Sequence, residues 1–144
     1  MQYWLVKQEP AEYPWDQFLQ DRGTAWTGVR NFQARNHLRS MRRGDLVLYY
    51  HSGEERAVVG IARVTREAYP DPTAQEEMWV AVDLAPIRPL EEAVPLHVIK
   101  KDPVLCEMAL VRQSRLSVMP VTETQWRRIL ELGRTSLPIG NNRP

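Results

Sequence analysis

Six consecutive residues, Leu46-Val47-Leu48-Tyr49-Tyr50-His51, are apolar at nearly every position. Turn signals close them off on both sides, Gly44-Asp45 before and Ser52-Gly53-Glu54-Glu55 after. A short run with that punctuation reads as a strand, and a strand without polar alternation has to be covered on both faces. A sheet with one wet face is therefore excluded at the centre of this chain. A closed barrel or a sheet with helices on both sides remains.

Other strands can be set around it. Tyr3 to Val6 is aromatic and β-branched, and Lys7-Gln8-Glu9-Pro10 ends it with a proline that cannot donate to a ladder. Ala57 to Thr65 returns from the hairpin loop with Val58, Gly60, Ala62 and Val64 on one face. Tyr69-Pro70-Asp71-Pro72-Thr73 is expected to be a loop and Met78 to Leu84 a strand. Pro86, Pro89 and Pro95 are expected to break up the segment after that strand. Leu96 to Lys100 reads as a helical turn and Arg115 to Val118 as a last strand.

Pro14 opens a helix that buries Trp15, Phe18 and Leu19 and closes at Gly23. Thr24-Ala25-Trp26 is extended. Thr122-Glu123-Thr124-Gln125 is a capping-box pattern ahead of Trp126, Ile129 and Leu130, with Gly133 as the cap at the far end. Short strands interleaved with three helices predict one α+β domain on a small β-barrel flanked by helices, over residues 1–133. Residues 134–144 are expected to fray.

Composition limits the function. At 144 residues, with 43% hydrophobic and 26% charged, the chain can bury a full core. A net charge of +1 means that affinity for a polyanion has to come from a local patch. With Cys106 as the single cysteine, no internal disulfide and no multi-cysteine metal site can form. No metal and no cofactor are expected. The start shows no signal-peptide pattern, and no apolar run is long enough to span a membrane. A monomer in the cytoplasm is the expectation.

The local patch is easy to find. After Trp26-Thr27-Gly28-Val29, a helical pattern places Ala34, Leu38 and Met41 on a buried stripe. Arg35, Arg39 and Arg42 form a basic stripe beside it, and no Asp or Glu occurs from Gly28 to Gly44. A tryptophan leading into an acid-free arginine helix suits an anionic partner with flat groups, as nucleic acid is. The plain alternative is a core tryptophan and a solvated helix face.

Tyr3-Trp4-Leu5-Val6-Lys7, Trp26 through Asn36, Gly44-Asp45, Tyr50-His51-Ser52, Gly60-Ile61-Ala62, Tyr69-Pro70-Asp71-Pro72-Thr73 and Arg115-Leu116-Ser117-Val118 together resemble the EVE domain. That family is grouped with the PUA-like folds and is related to YTH domains, which bind N6-methyladenine in RNA through an aromatic cage. The resemblance implies a pseudo-barrel whose pocket takes a modified, flipped-out or single-stranded base, so the implied partner is DNA or RNA carrying a modified base. Gln8 departs from the family's usual serine, and the stretch from Thr73 to Trp79 is shorter than in many relatives. The resemblance therefore leaves open whether Trp79 stands for the later-chain aromatic of the YTH cage.

For the base pocket the candidates are Lys7, Gln8, Glu9, Trp26, Thr27, Gly28, Val29, Asn31, His51, Arg115 and Ser117. Trp26 would stack on the base, Gln8 and Glu9 would read its edge, and glycine permits close backbone approach. For phosphate they are Arg30, Arg35, Arg39 and Arg42, unless an arginine is pinned to a buried carboxylate such as Asp45. Asn36 is expected to be structural. No nucleophilic triad or metal-ligand spacing is present, so no catalytic residue is expected. By analogy with PUA-like hydrolases of acylated nucleosides, Lys7, Glu9 and Thr27 form an alternative catalytic set. A pocket for a small ligand, with the basic helix docking a protein, is a third reading.

Overall fold

The computed structural model describes residues 1–137. In chain order its elements are β1 (Tyr3–Gln8), α1 (Trp15–Asp21), β2 (Thr24–Trp26), α2 (Phe32–Ser40), β3 (Leu46–His51) and β4 (Ala57–Pro70). After these come β5 (Val80–Pro95), α3 (Leu96–Lys101), α4 (Ala109–Arg112), β6 (Val118–Val121) and α5 (Glu123–Leu132). One mixed six-stranded sheet runs β2-β5-β4-β3-β1-β6, with β1 and β3 parallel.

β3 is buried at all six positions, as its sequence requires, because both faces of the sheet are covered. Successive residues of β1 show the two layers. Trp4 faces α2, its ring 6.0 Å from that of His37, while Tyr3 stacks on Trp126 of α5 at 4.7 Å. α1 lies across the sheet through Trp15 and Phe18, the latter stacked on Tyr49 at 5.1 Å. Leu19, expected to be buried there, is 37% exposed. No described helix is long and apolar enough to cross a membrane.

The sheet is not a closed barrel, which corrects the sequence expectation. β2 has only three residues and pairs with β5 alone, so it does not reach β6 across the gap. An apolar run tells of cover on both faces but not whether helices or the sheet itself supply it.

Proline marked one loop a little early and another that is not there: Asp71-Pro72-Thr73 does leave the sheet, but Tyr69 and Pro70 still belong to β4. β4 continues to Pro70 and β5 to Pro95, with Pro86, Pro89 and Pro95 inside a sixteen-residue strand. Beyond Leu84 the outer edge of β5 has no β2 partner, so a residue without an N–H costs nothing on that side. The prolines pair inward with Ala62, Gly60 and Ala57, next to shifts of register that bend the ladder. Pro120 sits likewise in β6, at the edge of the sheet, and β6 starts three residues later than the predicted strand.

α5 forms as predicted. Thr122 Oγ1 accepts from Gln125 N and Gln125 Oε1 accepts from Thr122 N, closing the capping box, and Gly133 is the C-cap. The chain does not fray at once after it. Thr135 Oγ1 accepts from Glu91 N and donates to Gly133 O, both at 2.7 Å, and Leu137 is buried. The rest of the predicted tail, 138–144, lies outside the described residues.

Candidate nucleic-acid interface

α2 begins where Asn31 turns its side chain inward as the N-cap, Oδ1 accepting from Ala34 N at 2.9 Å. Ala34 and Leu38 bury its apolar stripe. The helix stops at Ser40, and Met41, though fully buried, is in extended conformation. The basic stripe is therefore shorter than expected: Arg35 and Arg39 are helical, whereas Arg42 lies in the following turn with Glu67 3.9 Å away.

Asp71 organises the surface that faces this helix. It begins the β4–β5 loop, and its carboxylate accepts from Gly28 N at 2.8 Å, Arg30 Nη1 at 3.0 Å, and Thr73 N and Oγ1 at 2.7 Å. Burial acts to raise the Asp71 carboxyl, but these donors outweigh it and hold the pKa down to about 2. Arg30, expected to contact phosphate, is thus pinned by a buried carboxylate, which is Asp71 rather than Asp45. Asp45 instead accepts from Trp4 Nε1 and Arg42 N.

The loop ends at Trp79, which is brought against the helix. Phe32 stacks on it with ring centroids 5.1 Å apart, and the Arg30 guanidinium stands 5.8 Å from the Trp79 ring. Arg35 lies 5.2 Å from the Phe32 ring centroid. Phe32 is 57% exposed and Met78 beside it 39%, so a large aromatic ring stands open between arginines. Phe32 and Trp79 were outside the predicted site. The signal for Phe32 was present: on a helix it falls opposite the Ala34–Leu38 stripe, where a large apolar residue has no core to fill.

Trp26 is not the open platform expected. It is 5% exposed and packs edge-on against Tyr49 at 5.6 Å, so its ring offers no free face. It faces the aromatic layer under α1, and an indole there is core. Thr27 and Gly28 are exposed beside it and Val29 is buried. Asn31 gives its Oδ1 to the helix cap while the residue stays exposed, and Asn36 accepts from Arg35.

The remaining candidates lie around the end of β1. Lys7 and Gln8 point to opposite faces, since neighbours alternate along a strand. Lys7 Nζ donates to Ser114 O at 2.8 Å, while Gln8 Oε1 accepts from Glu9 N at 3.0 Å. Glu9 lies against Gly53. His51 is a core residue, not a rim residue: Nε2 accepts from Trp15 N at 3.0 Å and Nδ1 is 2.8 Å from Glu55. Ser117 O accepts from Lys7 N, and Arg115 is exposed. Among the described residues no hydrogen bond joins Lys7, Glu9 and Thr27, the alternative hydrolase set: Lys7 Nζ is on Ser114 O and Glu9 lies against Gly53.

A mixed α+β domain with an aromatic and arginine surface on one helix is the class that fold and site define. The sequence pattern of the EVE domain matches residues 2–132. The chain belongs to the EVE domain family, as its motifs implied. Mouse thymocyte nuclear protein 1 is 33% identical to it, over 92% of this chain and 74% of that protein. The match to the human form spans only 59% of that protein's length. Protein Rpa0253 of Rhodopseudomonas palustris is 48% identical with a TM-score of 0.89, covering 93% of this chain and 94% of that one. Human THYN1, solved in complex with DNA containing 5-methylcytosine, is 29% identical with a TM-score of 0.84 over 95% of this chain and all of that one. The YTH domain of Zygosaccharomyces rouxii MRB1, solved with N6-methyladenosine RNA, shares the fold at a TM-score of 0.60 and 15% identity, over 95% of this chain and 88% of that one.

Proposed function

We propose that the protein binds nucleic acid carrying a modified base, without turnover, through the face formed by α2 and the β4–β5 loop. The observation that carries this reading is the Phe32 ring, exposed yet held between Trp79 and Arg35 in a stretch without acids. With Arg35 turned from the ring onto a phosphate, the Phe32 face seated on Trp79 can stack on a base at little entropic cost, and Arg39 can meet a phosphate alongside. The 5-methylcytosine DNA bound by human THYN1 supports a modified base as the ligand. Arg30 serves as a positioning residue here, because its charge is already matched by Asp71.

The test is a set of short DNA and RNA strands carrying 5-methylcytosine, N6-methyladenine or no modification, titrated against the protein at several salt concentrations. One modified strand should bind tightest. Reversing the charge of Arg35 and Arg39 should weaken every strand alike and reduce the salt slope by ~1 per lost phosphate contact. Equal affinity for modified and unmodified strands would overturn the reading.

A further inference from the structure

A second cationic site lies at the opposite end of β4 from Asp71. A pocket of about 300 Å³ opens between the ends of β1 and β3 and helices α3 and α4. Its wall holds three cations, Lys7, Arg56 and Lys100, together with Ser52. Leu96 and Leu110 give it an apolar side. None of its lining residues is acidic. Glu54 and Glu55 line an adjoining hollow that shares Arg56, Leu96 and Lys100 with this pocket, but Glu55 is engaged with His51, and neither glutamate forms an ion pair with Arg56 or Lys100 among the described residues.

Each cation is placed in its own way. Lys7 Nζ spends one of its three donors on Ser114 O and sits 5.9 Å above the Tyr50 ring, half-buried. Burial lowers its pKa, as it does for an ammonium taken from water without a counter-ion. Lys100 reaches the pocket from the last turn of α3. Arg56 has φ of 47°, a left-handed conformation that a side chain with a Cβ adopts at a cost. Its carbonyl accepts from Leu96 N at 2.8 Å, so the backbone is locked there. The turn would accept glycine more cheaply; the arginine adds a guanidinium to the pocket wall.

We propose that this pocket binds a phosphate monoester, with Lys7, Arg56 and Lys100 around the phosphate and the leucines against the group it esterifies. Three cations without a lining carboxylate suit a dianion better than the single charge of a backbone diester. The volume leaves room for a sugar as well as the phosphate, which makes a nucleoside 5′-monophosphate or the 5′-phosphate end of a strand the fitting ligand.

Thermal unfolding of the full chain tests this, with adenosine 5′-monophosphate, inorganic phosphate and adenosine as probes. Tm should rise with concentration of either phosphate and stay constant with adenosine. Lys100→Gln should weaken the monophosphate about tenfold, the order expected for one charge-assisted contact. Arg56→Gly should weaken it similarly while the free protein melts no lower than the parent, because glycine adopts this backbone without strain. A 5′-phosphorylated oligonucleotide that competes where its 5′-hydroxyl twin fails identifies the strand end as the source; competition by neither identifies the free nucleotide. Equal competition by both, equal stabilisation by adenosine, or unchanged binding in both variants would overturn the proposal. None of these results bears on the modified-base face, which is tested by its own strands.

Discussion

Asp71 joins two loops that the sequence sets 43 residues apart, Gly28 with Asp71, through one carboxylate. Its pKa of about 2 lies below the ordinary 3.8, so the unfolded chain takes up a proton before the folded one does. The stability this adds is complete above about pH 4 and is lost as pH falls through 2, amounting to about 2 kcal/mol. In denaturant melts, Asp71→Asn should be less stable by about that amount near neutral pH, and the gap should close in acid. A gap that does not change with pH would show that the carboxylate's charge is not what ties the loops. Phe32 is a test of the other kind, since little rests on it. Phe32→Ala should lower affinity for the preferred strand by ~1–3 kcal/mol while costing folding no more than ~1 kcal/mol. The alanine protein would melt almost normally but bind poorly.

At the level of elements, α5 was legible because its start and stop are written in adjacent residues, Thr122, Gln125 and Gly133. β5 was not, because whether proline breaks a strand depends on which edge its nitrogen faces, a tertiary fact. The arginine stripe was read correctly as a surface but too long, since the helix ends before Met41 and a buried methionine does not reveal its backbone. The seating of α1 on the sheet rests on Gly60 of β4. A Cβ there would come within 2.6 Å of the Trp15 ring, and a rigid indole in a packed layer cannot yield. Gly60→Ala should therefore cost ~1–3 kcal/mol and alter the tryptophan emission, as α1 lifts from β4. An alanine protein with unchanged stability and spectrum would mean that α1 is loosely held.

Across the whole molecule, the family and the α+β class were legible, while the opening of the sheet between β2 and β6 was not. The predicted site divided for a physical reason. A strand sends neighbouring side chains to opposite faces, so Lys7 and Gln8 could not share one pocket. A tryptophan at a glycine turn gives no sign of whether its ring is open or covered, and the ring that is open, Phe32, depended on where a distant loop brought Trp79. Beyond Gly133, Thr135 still bonds to Glu91 of β5, and Leu137 is buried near Tyr3 and Trp126. Truncation after Gly133 should cost ~1–3 kcal/mol in a chemical melt, the order of a buried hydrogen bond and part of a leucine.

The prolines of β5 also matter for protein at high concentration. An uncovered strand edge is a row of free donors on which a second chain can build, and long sheets aggregate that way. Here β2 covers Val82 to Leu84; further along, Pro86, Pro89 and Pro95 have no donor to offer. Between the last two, Glu92 N is taken by Gly133 O and Glu91 N by Thr135 Oγ1. The longest strand of the sheet thus gives a neighbouring molecule little to pair with, and the same residues that hid it from sequence reading guard it against fibril-like growth.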